Sequence, residues 1–398
     1  MKRYCKNVDI TDRTFIKSAI NDCLHGSKGK NKFSRNDVLK MFQDYSGMPF
    51  QFLKGIATQK QYWMFDGIIN TITDSIQNEI KDQSYKWKPI WYSEKLEGNK
   101  IRKIGIQDIK QQLYDYIAVN GLMELFKKKI GYYQCAAIPG KGQVMGKKSI
   151  EKWLKSGKTR YGWKGDASKY YENINKNRLK ELLKKYVKND ALLHLTFSLI
   201  DSFEKGLSIG SYLSQYLANF YMSFAYHYIS EKCVKTRITK HNGKKSIRLI
   251  RSVLIYMDDI FITASNLKYL KMAVDRFKKW ISEFLSVNIK PNESWIDFKN
   301  GYVDMMGFLI SKRKTIVRPS IFRKFRRSIV KARKQKKIKK QQAYRIVSRW
   351  GWLANSDCKH FIKRSNASMI NRLSKEVISH GEDVVYFTTK QGARCCIA

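Results

Sequence analysis

The 398-residue sequence predicts an α+β fold, and three observations lead to it. The run Ser252–Ala264 sets apolar residues on both sides of the adjacent carboxylates Asp258 and Asp259, the pattern of two buried strands joined by a tight turn. Tyr161–Asp166 reads as a further strand. The segment after it turns helical, with Leu179, Leu182, Leu183 and Tyr186 at i, i+3, i+4 and i+7. Other amphipathic helices and short hairpins are spread along the chain, with no internal repeat and only five prolines.

In chain order, residues 1–90 read as a helical extension. Within it Thr14–Leu24 is amphipathic, Gly26–Lys32 is a Gly/Lys/Ser/Asn linker, and Ser34–Phe42 begins as a helix with Ser34 as its cap. Residues 58–84 form a further helix, with Met64, Ile68, Ile69, Ile72 and Ile76 among its apolar residues. Ile90–Ser93 and Asn99–Ile106 make a short hairpin, and residues 108–126 return to helical periodicity. Gly206–Asn219 is a loop running into a long helix, and Asn242-Gly243 is a strong turn signal inside a basic hairpin over 232–250. The densest charge, over 323–340, keeps an apolar stripe of Phe322, Phe325, Ile329 and Ala332. It is therefore a helix with a basic face. Tyr344, Ile346, Val347, Trp350 and Trp352 give the apolar side of the next helix.

The formal charge is +45, from 78 Lys plus Arg against 33 Asp plus Glu. That excess is too large for an ordinary metabolic enzyme and implies a polyanionic partner. The length allows a large core in two or three lobes. Seven scattered cysteines without Cys-x-x-Cys spacing predict reduced thiols, no structural zinc and a cytoplasmic location. The adjacent pair Cys395-Cys396 is either a reactive site or, as adjacent cysteines in a tail more often are, without a role. The basic N-terminus has no apolar run after it, and no stretch is long enough to span a bilayer, so neither a signal peptide nor a membrane partner is expected.

Two like charges side by side are costly to bury unless cations neutralise them. Mg²⁺ does this where a substrate is a polyphosphate, binding carboxylates together with phosphate oxygens. An exposed turn is the alternative, because Asp is common in hairpins. Asp166, a third carboxylate at a strand end, would complete a two-metal site, one ion activating a hydroxyl and the other gripping pyrophosphate. Gly210, Ser214 and Ala218 form a stripe of small side chains that admits a close neighbour, either a packed helix or a nucleotide and template strand.

These segments, in this order, resemble the palm of a reverse transcriptase. Asp166 matches its first carboxylate motif, Tyr256-Met257-Asp258-Asp259 its second, and the Gly-containing loop before the Tyr212 helix lies between them. Val303–Ile310 resembles the primer-grip hairpin, with Met306 and Gly307 at its tip, and Ser286–Asn292 the strand before it. Tyr132–Gly142 with Gly146 resembles the segment of the fingers that precedes the palm. The resemblance covers roughly residues 85–365. It implies a right-hand polymerase with an antiparallel palm sheet: fingers over 91–160, palm over 161–312 with fingers helices within 175–205, thumb over 313–375, and a tail over 376–398.

The same resemblance implies RNA-directed DNA synthesis with two Mg²⁺ ions, for which Mn²⁺ can substitute, held by Asp166, Asp258 and Asp259. Arg102, Lys103, Tyr171, Ile209, Gly210 and Gln215 would line the deoxynucleotide site. Arg102 and Lys103 would neutralise phosphate, or else face solvent; Tyr171 would exclude a 2′-hydroxyl, or else belong to the palm core. Arg323, Arg326, Arg327, Lys331, Arg333 and Lys334 would track an RNA–DNA duplex through its phosphates. The cations of the 232–250 hairpin either touch template RNA or solvate an exposed ribbon. Ile209-Gly210 and Ser214-Gln215 stand where most of the family has Gln-Gly and Ser-Pro. That departure, with Ser348–Asn355, resembles the error-prone enzymes of diversity-generating retroelements; antiphage reverse transcriptases with a partner non-coding RNA look similar. A non-catalytic RNA-binding scaffold is the remaining alternative, against which the intact carboxylates stand. No second hydrolytic cluster or zinc-bearing nuclease is recognisable, so partner RNA, and an accessory protein or second copy of the chain, are expected to complete the system.

Overall fold

The computed structural model describes residues 2–26, 31–97, 100–239, 243–335, 337–380, 384–389 and 392–397. Helices and antiparallel strands are mixed in an α+β fold, as the sequence predicts. Strands β1 (Trp91–Glu97) and β2 (Lys100–Ile106) form one hairpin. β3 (Tyr161–Asp166) stands alone in sequence, and β4 (Val234–Thr239) and β5 (Gly243–Arg248) form a second hairpin. β6 (Ser252–Tyr256), β7 (Asp259–Ala264) and β8 (Ser294–Asp297) join β3 in a four-stranded sheet of order β6-β7-β3-β8. β9 (Tyr302–Met305), β10 (Phe308–Ser311) and β11 (Thr315–Val317) make an antiparallel sheet. β12 (Lys337–Ile338) pairs with β13 (Val384–Thr389), which pairs with β14 (Gly392–Ile397). The chain divides into two compact units, each assembled from separate segments.

The first unit comprises residues 1–138, 166–232 and 275–291 and is mainly helical. Its first helix, Arg13–His25, is capped by Asp12, whose carboxylate accepts from the Thr14 and Phe15 amides. The helix Asn36–Ser46 does not use Ser34; Arg35 is its N-terminal cap and makes no side-chain cap bond. The single helix expected over 58–84 is instead Phe50–Thr58, a 3₁₀ turn at Tyr62–Phe65, and Asp66–Lys81. Lys60, at φ 59°, sits in a left-handed conformation that no α-helix continues through. Phe65 packs on Phe42 at 4.8 Å and on Phe33 at 5.9 Å between ring centroids. Tyr4 is sewn to the segment at Val187 through Tyr4 N–H to Tyr186 O, 2.7 Å, and Lys188 N–H to Tyr4 O, 2.9 Å. Residues 108–126 fall into two helices, Ile109–Gly121 and Met123–Lys129, the first capped by Asp108. Ser286–Asn292 is not a strand; it makes one isolated bridge, Ile289 to Ala167. Residues 27–30 of the expected linker lie outside the described residues.

The second unit comprises residues 139–165, 233–274 and 292–398 and holds every sheet except the β1–β2 hairpin. Helices Pro319–Gln335, Lys340–Ala354 and Ala367–His380 enclose a core that includes Phe325, Ile329, Ala332, Ile346, Leu353, Ile370 and Leu373. Tyr344 leaves the apolar side expected of it and is exposed. The segment that the sequence presents as a tail contains the end of the Ala367 helix and the β13–β14 pair. In the basic hairpin Thr239 pairs with Gly243, while Asn242 of the turn lies outside the described residues. So do the side chains of Cys395 and Cys396; Cys5, Cys23, Cys135, Cys233 and Cys358 are free thiols. Among the described residues no helix is long and apolar enough to cross a membrane.

Candidate active site

In the second unit, Tyr256 pairs with Asp259, which leaves Met257-Asp258 as a two-residue hairpin loop. Val253–Ile255 and Ile260–Ile262 are at most 3% exposed, so the loop stands at the end of a rigid strand pair. Right-handed strand twist favours turns with positive φ here, usually at Gly, Asn or Asp. Met257 takes φ 55° without being one of these. A non-glycine residue held there costs on the order of 1–3 kcal/mol and is tolerated where the surroundings impose it. Asp258 and Asp259 are half-buried. Asp259 Oδ1 receives the Lys164 ammonium of β3 at 2.9 Å, so a lysine neutralises one of the two adjacent carboxylates.

In the first unit, Asp166 closes β3 and is held twice by Lys290. The Lys290 amide donates to Asp166 O at 2.8 Å and its ammonium to Asp166 Oδ2 at 2.6 Å. Lys290 lies inside the Ser286–Asn292 motif, so its position, though not its role, is visible in the sequence. Two residues that look equivalent in sequence separate here. Tyr170 is buried and donates to Ala218 O at 2.6 Å, whereas Tyr171 is half-buried and its carbonyl accepts from Leu207 N–H at 2.8 Å. Gly206, at φ 48°, lies against that contact: a Cβ would come within 2.2 Å of Tyr171 O.

The loop that Tyr171 touches is also pinned to β2. Gly105 N–H donates to Ile209 O at 2.7 Å, and a Cβ on Gly210 would lie 2.3 Å from Gly105 O. The close neighbour expected beside the small-residue stripe is therefore, at Gly210, the backbone of this strand rather than a helix. Arg102 and Lys103 are both exposed and, as successive strand residues, lie on opposite faces. Arg102 shares its face with Ile104, which abuts Gly210. The structure thus gathers Tyr171, Ile209 and Gly210 around one loop, with Arg102 further along the strand that anchors it. Gln215, half-buried, follows one turn into the helix Tyr212–His227.

A residue that sequence reasoning missed organises this loop. Asp115 of the Ile109 helix is fully buried and accepts from Ser211 Oγ at 2.6 Å, from Leu213 N at 3.3 Å and from Gln107 Nε2 at 3.4 Å. Ser211 in turn caps the Tyr212 helix through the Ser214 amide. Burial pushes the Asp115 pKa up to about 6, against the opposing effect of these donors.

In the second unit, Phe308 pairs with Met305, so Met306-Gly307 is also a two-residue turn, with φ 55° and 84°. Trp352 Nε1 donates to Met306 O at 3.0 Å, and the Arg318 amide donates to Gly307 O at 2.8 Å. Any side chain on Gly307 would meet the Trp352 ring. Along the helix Pro319–Gln335, Arg323, Arg326, Arg327, Lys331 and Lys334 line one groove with Val330. Arg333 is exposed on the same helix but does not line that groove. Among the described residues none of these cations meets a carboxylate.

Among the described residues no three His, Cys, Asp or Glu side chains are gathered as a ready metal cage. Asp166, Asp258 and Asp259 nonetheless offer only oxygen donors, the chemistry that Mg²⁺ takes.

A family model described as "Reverse transcriptase (RNA-dependent DNA polymerase)" matches residues 94–308, more than half of the chain. No curated protein matches. Similar solved structures include telomerase from Candida albicans in complex with a fragment of telomeric RNA, at 10% identity and TM-score 0.43, covering 60% of this chain and 46% of that one. Apo telomerase from Candida tropicalis is similar at 12% identity and TM-score 0.43, covering 82% of this chain and 72% of that one.

Proposed function

The chain belongs to the reverse transcriptase family, and on that premise we propose that it copies an RNA template into DNA, with Asp166, Asp258 and Asp259 as its catalytic carboxylates. The observation that carries the proposal is the Met257-Asp258 turn. A strained two-residue loop on two buried strands presents adjacent carboxylates, and both lie within the residues that the family model matches. Divalent ions, Mg²⁺ or Mn²⁺, would there activate the primer hydroxyl and stabilise the leaving pyrophosphate. Arg102 and Lys103 would neutralise the triphosphate, Tyr171 would exclude a 2′-hydroxyl, and Met306-Gly307 would hold the primer end. The basic face of the Pro319 helix would follow the RNA–DNA duplex, and template RNA, deoxynucleotides and an accessory protein or second copy would be the partners, in a cytoplasmic setting. The test is Asp258→Asn, which keeps size and removes charge. Synthesis is expected to fall by about 100-fold or more while RNA binding persists; near-normal synthesis would overturn the assignment.

The template copying would be error-prone, as in diversity-generating retroelements, because Ile209 offers only shape where most relatives carry an amide. The Ile209 main chain is already engaged by Gly105, so exchanging the side chain leaves the loop anchored. A hydrogen bond of roughly 0.5–1.5 kcal/mol alters discrimination several-fold. Ile209→Gln is expected to lower misincorporation, most at template adenines, in sequenced cDNA from one defined RNA. Wild-type cDNA with few adenine errors would instead favour an antiphage enzyme.

A further inference from the structure

The β9–β10–β11 sheet has one face in the core: Val303, Met305, Phe308, Ile310 and Val317 are at most 3% exposed. Its other face bears a recess of about 370 Å³. Leu309 and Ile316, cross-strand partners, form part of the floor together with Phe298, which is 2% exposed. Tyr302, opposite Ser311 in the register, stands at the edge with 55% of its surface exposed. Lys299, Lys312, Arg313 and Lys314 form the rim, and among the described residues no carboxylate lines the recess. The two nearest acids in sequence are already neutralised, Asp297 by Arg160 at 2.7 Å and Asp304 by Arg318 at 2.6 Å.

A solvated basic turn needs no apolar floor, and a core edge needs no ring of cations. Together with an exposed aromatic face, these features match what an unpaired nucleotide requires: a ring for its base to stack on, apolar surface beneath, and ammonium or guanidinium groups for its phosphates. The volume lies within the usual range of small-ligand sites. We propose that this recess binds an unstacked nucleotide of a single-stranded segment, its base on Tyr302 and its flanking phosphates on Lys312, Arg313 and Lys314. The strand is unpaired RNA or single-stranded DNA, which share this chemistry. Leu309 of the floor belongs to the primer-grip hairpin, but Tyr302, Lys312, Arg313 and Lys314 lie outside every residue assigned above to nucleotide, primer or duplex. The site does not depend on the catalytic reading, since binding can be measured without triphosphate or divalent ion.

The experiment is fluorescence anisotropy of the full chain with labelled oligo(U), oligo(dT) and an RNA–DNA duplex, using wild type, Tyr302→Ala, Tyr302→Phe and Lys312→Gln/Lys314→Gln. Base–aromatic stacking predicts that Tyr302→Ala weakens single-strand binding by about 5- to 100-fold, that Tyr302→Phe retains it, and that duplex affinity stays constant. Loss for oligo(U) alone identifies RNA as the occupant, and loss for oligo(dT) alone identifies DNA. The double Gln variant should weaken single-strand binding and reduce its salt dependence. Melting curves establish that each variant is folded. Single-strand affinity unchanged in a folded Tyr302→Ala protein overturns the proposal, as does an equal loss for the duplex, which would make Tyr302 part of a general basic surface.

Discussion

Burial dominates the ionisation of Asp115, whose pKa stands at about 6 against an ordinary 3.8. The folded state therefore holds a proton more tightly than the unfolded chain. Between those two values the native protein binds more protons, so stability from this group falls as pH rises, and the full penalty is present above about 6. Asp115→Asn removes that slope while keeping an acceptor for Ser211 and Leu213. The stability of the variant relative to wild type is expected to increase from pH 4 to pH 7, by about 3 kcal/mol at most, in paired denaturant titrations. A difference that stays level with pH would show that Asp115 titrates normally. Cys23 and Tyr116 also feel this carboxylate, but both are neutral over that range, and burial raises them further. The residue is illegible in sequence because an Asp between Tyr114 and Tyr116 on a helix reads as one more surface charge. Asp258 and Asp259 stand out because apolar residues flank them on both sides, and Asp166 because it closes a strand-like segment.

At the scale of elements, periodicity succeeds where one face is buried and fails where the element is held by something else. The Pro319 helix is readable from Phe325, Ile329 and Ala332, which are wholly buried while the basic residues between them are exposed. Ser286–Asn292 resembles a strand in sequence, but its backbone is occupied by Asp166 and Ser168 across a single bridge. Residues 58–84 look like one helix because a left-handed break at Lys60 leaves no mark on the apolar pattern. The basic helix carries its own prediction. Replacing Arg326, Arg327, Lys331, Arg333 and Lys334 with Gln should weaken duplex binding alike for all sequences. The salt slope should fall by about 0.9 for each phosphate that is no longer neutralised. An unchanged slope in titrations across salt concentrations would place the duplex elsewhere.

Length suggests two or three lobes, but the make-up of the two units is not legible, because each is assembled from segments far apart in the chain and linear order gives no sign of it. The final strand pair escapes for a plainer reason. Val384-Val-Tyr-Phe-Thr-Thr389 has strong β propensity, but its place near the end of the sequence gives it the look of a tail. The charge of +45 is legible as a need for polyanions, but not the part of it that the chain turns on its own carboxylates. Lys164 on Asp259 and Lys290 on Asp166 are resident counter-ions, one in each unit. Carboxylates paired in this way are not expected to need a divalent ion to hold the fold together, unlike domains that unfold on chelation. Chelator is expected to leave the melting temperature in place, whereas a drop of about 2 °C or more, roughly 1 kcal/mol, would mean that ions bear structural load. On the proposed reading, a carboxylate paired with lysine would repel a phosphate backbone less than a bare one, and a divalent ion would have to displace an ammonium to reach it.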